Sequence, residues 1–252
     1  MFAEAALTDD RFLSGRLQLW QPRTGYRAAT DPVLLAAACP AKAGDAVLDL
    51  GCGAGAASLC LGLRVPDLAL AGLEVQPDYA ALARRNAWRN GIVFDVHDGD
   101  LAQMPVALRR DFDQVIANPP YFAPGGSPSP LPGRALAMQV QTPMGDWVSA
   151  AARRLRPGGC LTLICGADGL PEVLTAMAPK LGSVAVLPLA PRTGRPALRV
   201  LLQARKGGRA AFRLLAPLVI HLGEAHDGDR ESYTPEVNAV LRDGADLLAR
   251  FR

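Results

Sequence analysis

Short, uniformly apolar runs alternate along this chain with longer segments of helical period, and that alternation leaves few folds open. The runs at 46–50, 68–73, 92–96, 113–117, 160–165, 184–189 and 198–204 read as seven strands. Several are too uniformly apolar for a sheet with one wet face, so burial on both sides is expected. Between them, 56–63, 77–90, 145–155 and 169–180 read as helices, with Gly91 and Pro157-Gly158-Gly159 as stop signals. The pattern predicts an α/β fold in which helices cover both faces of a parallel, doubly wound sheet.

The first 45 residues have a different character. Alternating apolar positions across 13–20 and the turn residues Pro22-Arg23-Thr24-Gly25 predict a small hairpin or extended arm. Residues 31–38 predict a short apolar helix with Thr30 or Asp31 as its cap and Pro32 in its first turn, leaning on the sheet. The stretches 124–132 and 223–235 lack periodicity and read as loops. No repeat or linker divides the remainder. Residues 1–45 are therefore expected to form an arm and helix packed on a single domain spanning 46–252.

Half of the 252 residues are hydrophobic and 20% are charged, as in a packed globular protein. The net charge of +3 permits a polyanionic partner without demanding one. No apolar run reaches the roughly 18 residues that would span a bilayer, and the first residues do not read as a secretion signal. A cytoplasmic protein with no membrane partner is expected. The five cysteines contain no Cys-x-x-Cys pair, and His97, His221 and His226 lack acidic or cysteine partners at ligand spacing. Neither a disulfide framework nor a metal is expected.

One strand runs straight into a glycine turn and then a helix, as Val47-Leu48-Asp49-Leu50-Gly51-Cys52-Gly53-Ala54-Gly55-Ala56. Glycines let backbone approach a ligand closely, and the helix start offers free amide donors, which suits a nucleotide-like cofactor. The spacing is Gly-x-Gly-x-Gly, and Asp49 stands two positions before Gly51. A carboxylate there attracts an ammonium group and repels a pyrophosphate. That favours S-adenosylmethionine, which has an ammonium and no phosphate, over a nicotinamide dinucleotide. Glu74 ends the second strand 23 positions beyond Gly51, where doubly wound folds place an acid for ribose hydroxyls. Asp100, after the third strand, is a candidate acceptor for the adenine amino group of the cofactor, or equally a helix cap.

A second segment, Asp113-Gln114-Val115-Ile116-Ala117-Asn118-Pro119-Pro120-Tyr121-Phe122, delivers an amide, two prolines and an aromatic to the carboxyl edge of the sheet. Such a segment is also an ordinary turn after a strand. Its chemistry becomes specific in combination with the glycine turn. An adenine or glutamine amino nitrogen is a poor nucleophile, because its lone pair is delocalised. If the Asn118 side-chain oxygen and the Pro119 carbonyl accept its two hydrogens, the nitrogen becomes more tetrahedral and its lone pair can face a sulfonium methyl. Proline at 119 has no N–H to compete for those acceptors, and Tyr121 offers a face for a flat base.

Together, Asp49 to Gly55, Glu74, Asp100 and Asn118-Pro119-Pro120-Tyr121 resemble the class I methyltransferases that modify amino nitrogens. That resemblance implies a seven-stranded sheet with one antiparallel strand. The front segment from Gly25 to Leu35, with Leu218-Val219-Ile220 and Tyr233, is similar to the bacterial tRNA1(Val) adenine-N6 methyltransferases, from about Phe12 to the end. It implies S-adenosylmethionine as cofactor, held by Asp49, Gly51, Gly53, Glu74, Asp100 and Asn118, with Thr30 and Asp31 near its methionine end. It further implies catalysis by Asn118, Pro119, Pro120 and Tyr121, and an anticodon-loop adenine of tRNA as substrate. Arg23 and Arg27 at the entrance, with Tyr121 and Phe122, are candidates for holding that substrate. Arg11, Arg16, Arg23 and Arg27 in the front arm, with Arg192, Arg195, Arg199, Arg205, Lys206 and Arg209 later, are candidates for an RNA track or, read one by one, scattered surface charge. Where relatives have arginine, often followed by histidine, this chain reads Ala137-Met138-Gln139. Two rivals remain: a glutamine N5 methyltransferase of the release-factor type, and a non-catalytic S-adenosylmethionine-binding module of an RNA-modifying assembly.

Overall fold

The computed structural model describes residues 2–120, 142–178, 180–223 and 232–252. An antiparallel hairpin opens the chain, β1 (Leu7–Phe12) with β2 (Leu17–Pro22), followed by α1 (Thr30–Ala38). Strand and helix then alternate through β3 (Ala46–Leu50), α2 (Ala56–Arg64), β4 (Ala69–Glu74), α3 (Pro77–Arg89) and β5 (Phe94–Asp98). The second half holds β6 (Phe112–Ala117), α4 (Met144–Arg154), β7 (Leu155–Gly166), α5 (Leu170–Met177), β8 (Leu181–Ala190) and β9 (Arg199–Lys206). Two-residue strands β10 (Arg213–Leu214) and β11 (Leu218–Val219) and the short α6 (Pro235–Asn238) follow.

The main sheet runs β10-β8-β9-β7-β6-β3-β4-β5, with β11 also on β8. Pairings β3–β4, β4–β5, β3–β6 and β6–β7 are parallel, whereas β9 is antiparallel to both β7 and β8. The expected mostly parallel sheet with one reversed strand is therefore present, and the seven expected strands are its body. From β3 the chain builds outward through β4 and β5 in one direction, then through β6 and β7 in the other. A crevice opens at the carboxyl ends of β3 and β6, where the direction of winding switches, and doubly wound folds bind ligands there.

Both faces of the sheet are buried, which explains why its strands read as continuous apolar runs. Val47, Ile116 and Ile164 join α1, α2 and α3 on one face. Leu48, Leu50, Val115 and Leu163 join α4 and α5 on the other. This period-2 alternation puts Asp49 on the α2 side, facing the helix that the glycine turn starts.

Several boundaries differ from the sequence reading. Neither Thr30 nor Asp31 caps α1: Ala29 occupies the cap position and gives no side-chain hydrogen bond, and Thr30 is already helical. Pro157-Gly158-Gly159 lies inside the irregular start of β7, where pairing to β6 shifts register between Phe112 and Gln114. β5 begins two residues later than the apolar run at 92–96. β10 and β11 were not anticipated, and neither was β1, whose Thr-Asp-Asp-Arg stretch has no apolar alternation. Loop 124–132 and most of 223–235 lie outside the described residues.

The hairpin docks on α3 through two asparagines that behave as a neighbouring strand would. Asn86 Oδ1 accepts from the Trp20 N–H (2.8 Å) while its Nδ2 donates to the Trp20 carbonyl (3.0 Å). One turn later, Asn90 repeats this with the Gln18 N–H (3.0 Å) and carbonyl (2.8 Å). The guanidiniums of Arg85 and Arg89 lie 4.8 and 4.4 Å from the centre of the Trp20 ring. The outer edge of β2, which would otherwise present unpaired backbone groups, is thereby covered.

Candidate functional site

The crevice is a cavity of about 590 Å³ whose wall carries Asp31, Asp49, Gly51, Gly53, Glu74, Asp100, Asn118, Pro119 and Pro120. Residues up to 89 positions apart are thus brought together by one sheet rim. The glycine turn leans on β4, because the N–H groups of Gly51 and Cys52 both donate to the Leu73 carbonyl (2.8 and 3.0 Å). Gly51 has φ +68°, and a Cβ there would lie 2.6 Å from the Trp147 ring, so two separate constraints require glycine. Gly55, at φ +90°, delivers the chain into α2.

Asp49 is only 2% exposed and accepts from the Ser58 hydroxyl of α2 at 2.8 Å. Burial pushes its carboxyl up to about 7; the Ser58 hydrogen bond opposes that rise and the nearby Glu74 carboxylate adds to it. Glu74 is also buried. Its two oxygens accept from the backbone N–H groups of Gly53 and Gln76 (both 2.9 Å), so it ties the end of β4 to the glycine turn. Desolvation raises its carboxyl too, against those same amide hydrogen bonds. Asp100 accepts from the Ala102 N–H at 2.8 Å in a local turn. That turn caps no described helix.

At the end of β6, Asn118 Nδ2 donates to the Tyr26 hydroxyl at 3.1 Å. Tyr26, on the segment between β2 and α1, also lines the cavity, and its carbonyl accepts from the Tyr79 hydroxyl at 2.9 Å. Asp31 forms an ion pair with Arg199, the first residue of β9, and both lie on the wall. Thr30 does not. Arg27 reaches the wall, but its guanidinium is committed to Asp10 (2.6 Å), Thr8 Oγ1 (2.7 Å) and the Pro22 carbonyl (2.9 Å). Arg23 is held away from the wall by the Ala5 carbonyl (3.1 Å). Tyr121 and Phe122 lie outside the described residues, as do Arg134 and Ala137-Met138-Gln139.

The suggested row of later cations does not form one track. Arg199 pairs with Gly166 at the cavity rim, whereas Arg205 and Lys206, at the far end of β9, reach the carbonyls of Gly158 (3.2 Å) and Leu155 (2.6 Å). Sequence reasoning gave no role to Tyr26, Ser58 or Trp147. Trp147 lies on the cavity wall, and its buried indole N–H has no hydrogen-bond partner among the described residues. Tyr26 stood within the quoted front segment, but its contact with Asn118 spans 92 positions and leaves no local signal.

The donor set suits a cationic ligand. Among the described residues no salt bridge joins Asp49, Glu74 or Asp100 to a cation, and the two arginines on the wall, Arg27 and Arg199, are paired with Asp10 and Asp31 instead. A pyrophosphate would be repelled there, while a ligand with ammonium and sulfonium charges, ribose hydroxyls and an adenine amino group offers what these acceptors lack.

Comparison with known proteins agrees with that chemistry. The family described as Methyltransferase small domain matches residues 29–187. A tRNA1(Val) (adenine(37)-N6)-methyltransferase of Dickeya chrysanthemi is 30% identical over 236 residues, covering 88% of this chain and 88% of that protein. Its namesake from Aeromonas hydrophila is 30% identical over 82% of this chain and 88% of its own length. The one from Yersinia enterocolitica is 35% identical over 105 residues, so the match spans 42% of that relative. Among solved structures, a protein described as a predicted O-methyltransferase from Agrobacterium tumefaciens superposes with a TM-score of 0.69 at 26% identity, covering 86% of this chain and 97% of that one. A Thermus thermophilus 16S rRNA N2 G1207 methyltransferase, solved with AdoMet and guanosine, shares the fold at TM-score 0.53 and 21% identity, over 79% of this chain and 50% of its own.

Proposed function

We propose that this chain, which belongs to the methyltransferase small domain family of S-adenosylmethionine-dependent methyltransferases, methylates the N6 amino group of an adenine in the anticodon loop of a tRNA, in the cytoplasm. The observation that carries the reading is Asn118-Pro119-Pro120 at the end of β6, opening on the same cavity as Asp49, Glu74 and Asp100. Asp49 and the glycine turn take the amino-acid end of the cofactor, Glu74 the ribose and Asp100 the adenine. When bound, S-adenosylmethionine supplies an electrophilic methyl on a sulfonium.

The protein's own contribution is to change the acceptor. Asn118 Oδ1 and the Pro119 carbonyl accept the two hydrogens of the target amino group, which lifts its lone pair out of conjugation. No strong base is required, since the amino proton becomes acidic only after the methyl is attached and can then leave to water. An anticodon-loop base is already exposed, so little unpairing machinery is needed. Among the described residues no helix is long and apolar enough to cross a membrane.

The test is incubation with labelled methyl donor and separate pools of tRNA, rRNA, DNA and release factor, followed by nucleoside analysis. N6-methyladenosine in tRNA is expected, and label in release factor would replace this reading with the glutamine one. Asn118→Ala should lower turnover by about a hundredfold or more, leaving donor affinity within about threefold. Near-normal turnover in that variant would refute the proposed chemistry.

A further inference from the structure

A carboxamide has two nearly isosteric ends, and only one of them can serve the reaction. With Asn118 Oδ1 toward the acceptor, an oxygen meets the hydrogens of the target amino group. After a half-turn of the amide, Nδ2 would point there instead, and donor would face donor. Pro119 supplies no N–H to hold the oxygen in place. Something else must choose the orientation.

We infer that Tyr26 is the positioning residue that makes this choice: its hydroxyl accepts from Asn118 Nδ2 and so keeps Oδ1 turned toward the acceptor nitrogen. The inference rests on the reading of Asn118 given above. It stands on the 3.1 Å contact and on how firmly Tyr26 is held. The Tyr79 hydroxyl fixes its carbonyl (2.9 Å), and its ring lies over the glycine turn, 3.7 Å from where a Cβ on Gly53 would be. Two residues on, the Ala28 N–H and carbonyl are both bonded to the Gln21 side chain (2.6 and 3.2 Å), which anchors the segment to β2.

The electrostatics explain why the hydroxyl accepts here rather than donates. Tyr26 as a whole is 43% exposed, but crowding around its hydroxyl end, then the nearby carboxylates of Asp31 and Asp49, Tyr79, and the Glu74 carboxylate raise the phenol above its ordinary value. The phenol thus keeps its proton at any working pH, and the negative field draws that hydrogen toward the acids. Its lone pairs are left for Asn118. The front segment thereby acts on the acceptor step through a direct contact with the end of β6.

Tyr26→Phe keeps the ring over the turn and removes only the hydroxyl. It should lower kcat about tenfold, the order expected for one orienting hydrogen bond, while donor Kd stays within about twofold. The direct readout is nuclear magnetic resonance on protein labelled with ¹⁵N-asparagine, since the chain has only Asn86, Asn90, Asn118 and Asn238. Tyr26→Phe should shift the Asn118 side-chain amide signals and leave the other three in place. In an Asn118→Asp background, whose two oxygens are equivalent, adding Tyr26→Phe should cost little further activity. Unchanged kcat in Tyr26→Phe, unmoved Asn118 amide signals, or an equal loss in the Asp background would each overturn the inference. If Asn118→Asp has no measurable turnover, the amide signals decide. Failure of the functional reading is seen separately, as normal turnover in Asn118→Ala.

Discussion

Asp49 shows how one residue can couple the chemistry of the cavity to pH. It sits 2% exposed on the α2 side of β3, with Ser58 as its hydrogen-bond donor and Glu74 as a repelling neighbour. Its carboxyl is raised from 3.8 to about 7 by burial above all, so the folded state binds this proton more tightly than the unfolded chain does. The sign follows from linkage: between about pH 4 and 7 the folded form holds the extra proton, so this residue's contribution to stability falls as pH rises. The penalty is complete above about pH 7, on the order of 4 kcal/mol, and vanishes below about pH 4. Asn at this position is nearly isosteric and never ionises. Asp49→Asn without cofactor should therefore be more stable than the parent at pH 8, and the gap should narrow by more than half at pH 5. Urea denaturation of both proteins at the two pH values measures it, and a gap that does not vary with pH would contradict the assignment.

Among the elements, the hairpin and α3 carry the least obvious dependence. Asn86 is fully buried on α3, and besides both backbone groups of Trp20 its Nδ2 also bonds the Ala54 carbonyl (2.9 Å) in the glycine turn. One amide thus joins hairpin, helix and cavity floor. Removing it strands the buried Ala54 carbonyl and the partly buried N–H and carbonyl of Trp20, each costing up to roughly 1–3 kcal/mol. Asn86→Ala should lower unfolding stability by about 3 kcal/mol or more. Asn90→Ala, at a half-exposed position where water can substitute, should cost about 1 kcal/mol. A reversed order in chemical denaturation would show that the hairpin docks by other means. Much at this scale was legible in the sequence. Strands buried on both faces announce themselves as apolar runs, and β3 to β9 were all anticipated in type. What escaped was structure made by pairing alone. β1 is polar between Leu7 and Phe12, β10 and β11 are two residues each, and the cap of α1 is an alanine that makes no side-chain hydrogen bond. The motif residues Asp49, Gly51, Gly53, Glu74, Asp100 and Asn118 were legible because strand ends place them at one rim. Thr30 was not separable from Asp31 by spacing, since adjacent helical positions point about 100° apart and only packing shows which one meets the cavity.

For the whole molecule, the cavity is where separate parts of the chain meet, because its wall draws on both halves of the sheet, the front segment and, through the Asp31–Arg199 pair, the reversed strand β9. A ligand that fills it bridges all of them, so its binding free energy appears as global stability: about 2.7 kcal/mol at a hundred times its Kd. The same cavity concentrates carboxylates that repel one another when it holds no cation. On the proposed role for Asp49, S-adenosylmethionine binds the ionised form, and at low pH binding must first remove a proton. With a carboxyl near 7, apparent affinity should be about thirtyfold weaker at pH 5.5 than at pH 8. The thermal shift at fixed cofactor concentration should shrink accordingly, and calorimetry in two buffers of different ionisation enthalpy should register proton release on binding near pH 6.5. In Asp49→Asn both effects should disappear while the weaker residual binding becomes flat with pH. Were the parent's affinity equally flat, the cation would have to be met by Glu74 or Asp100, and Asp49 would be left with a structural role, holding Ser58 and the start of α2 beneath the glycine turn.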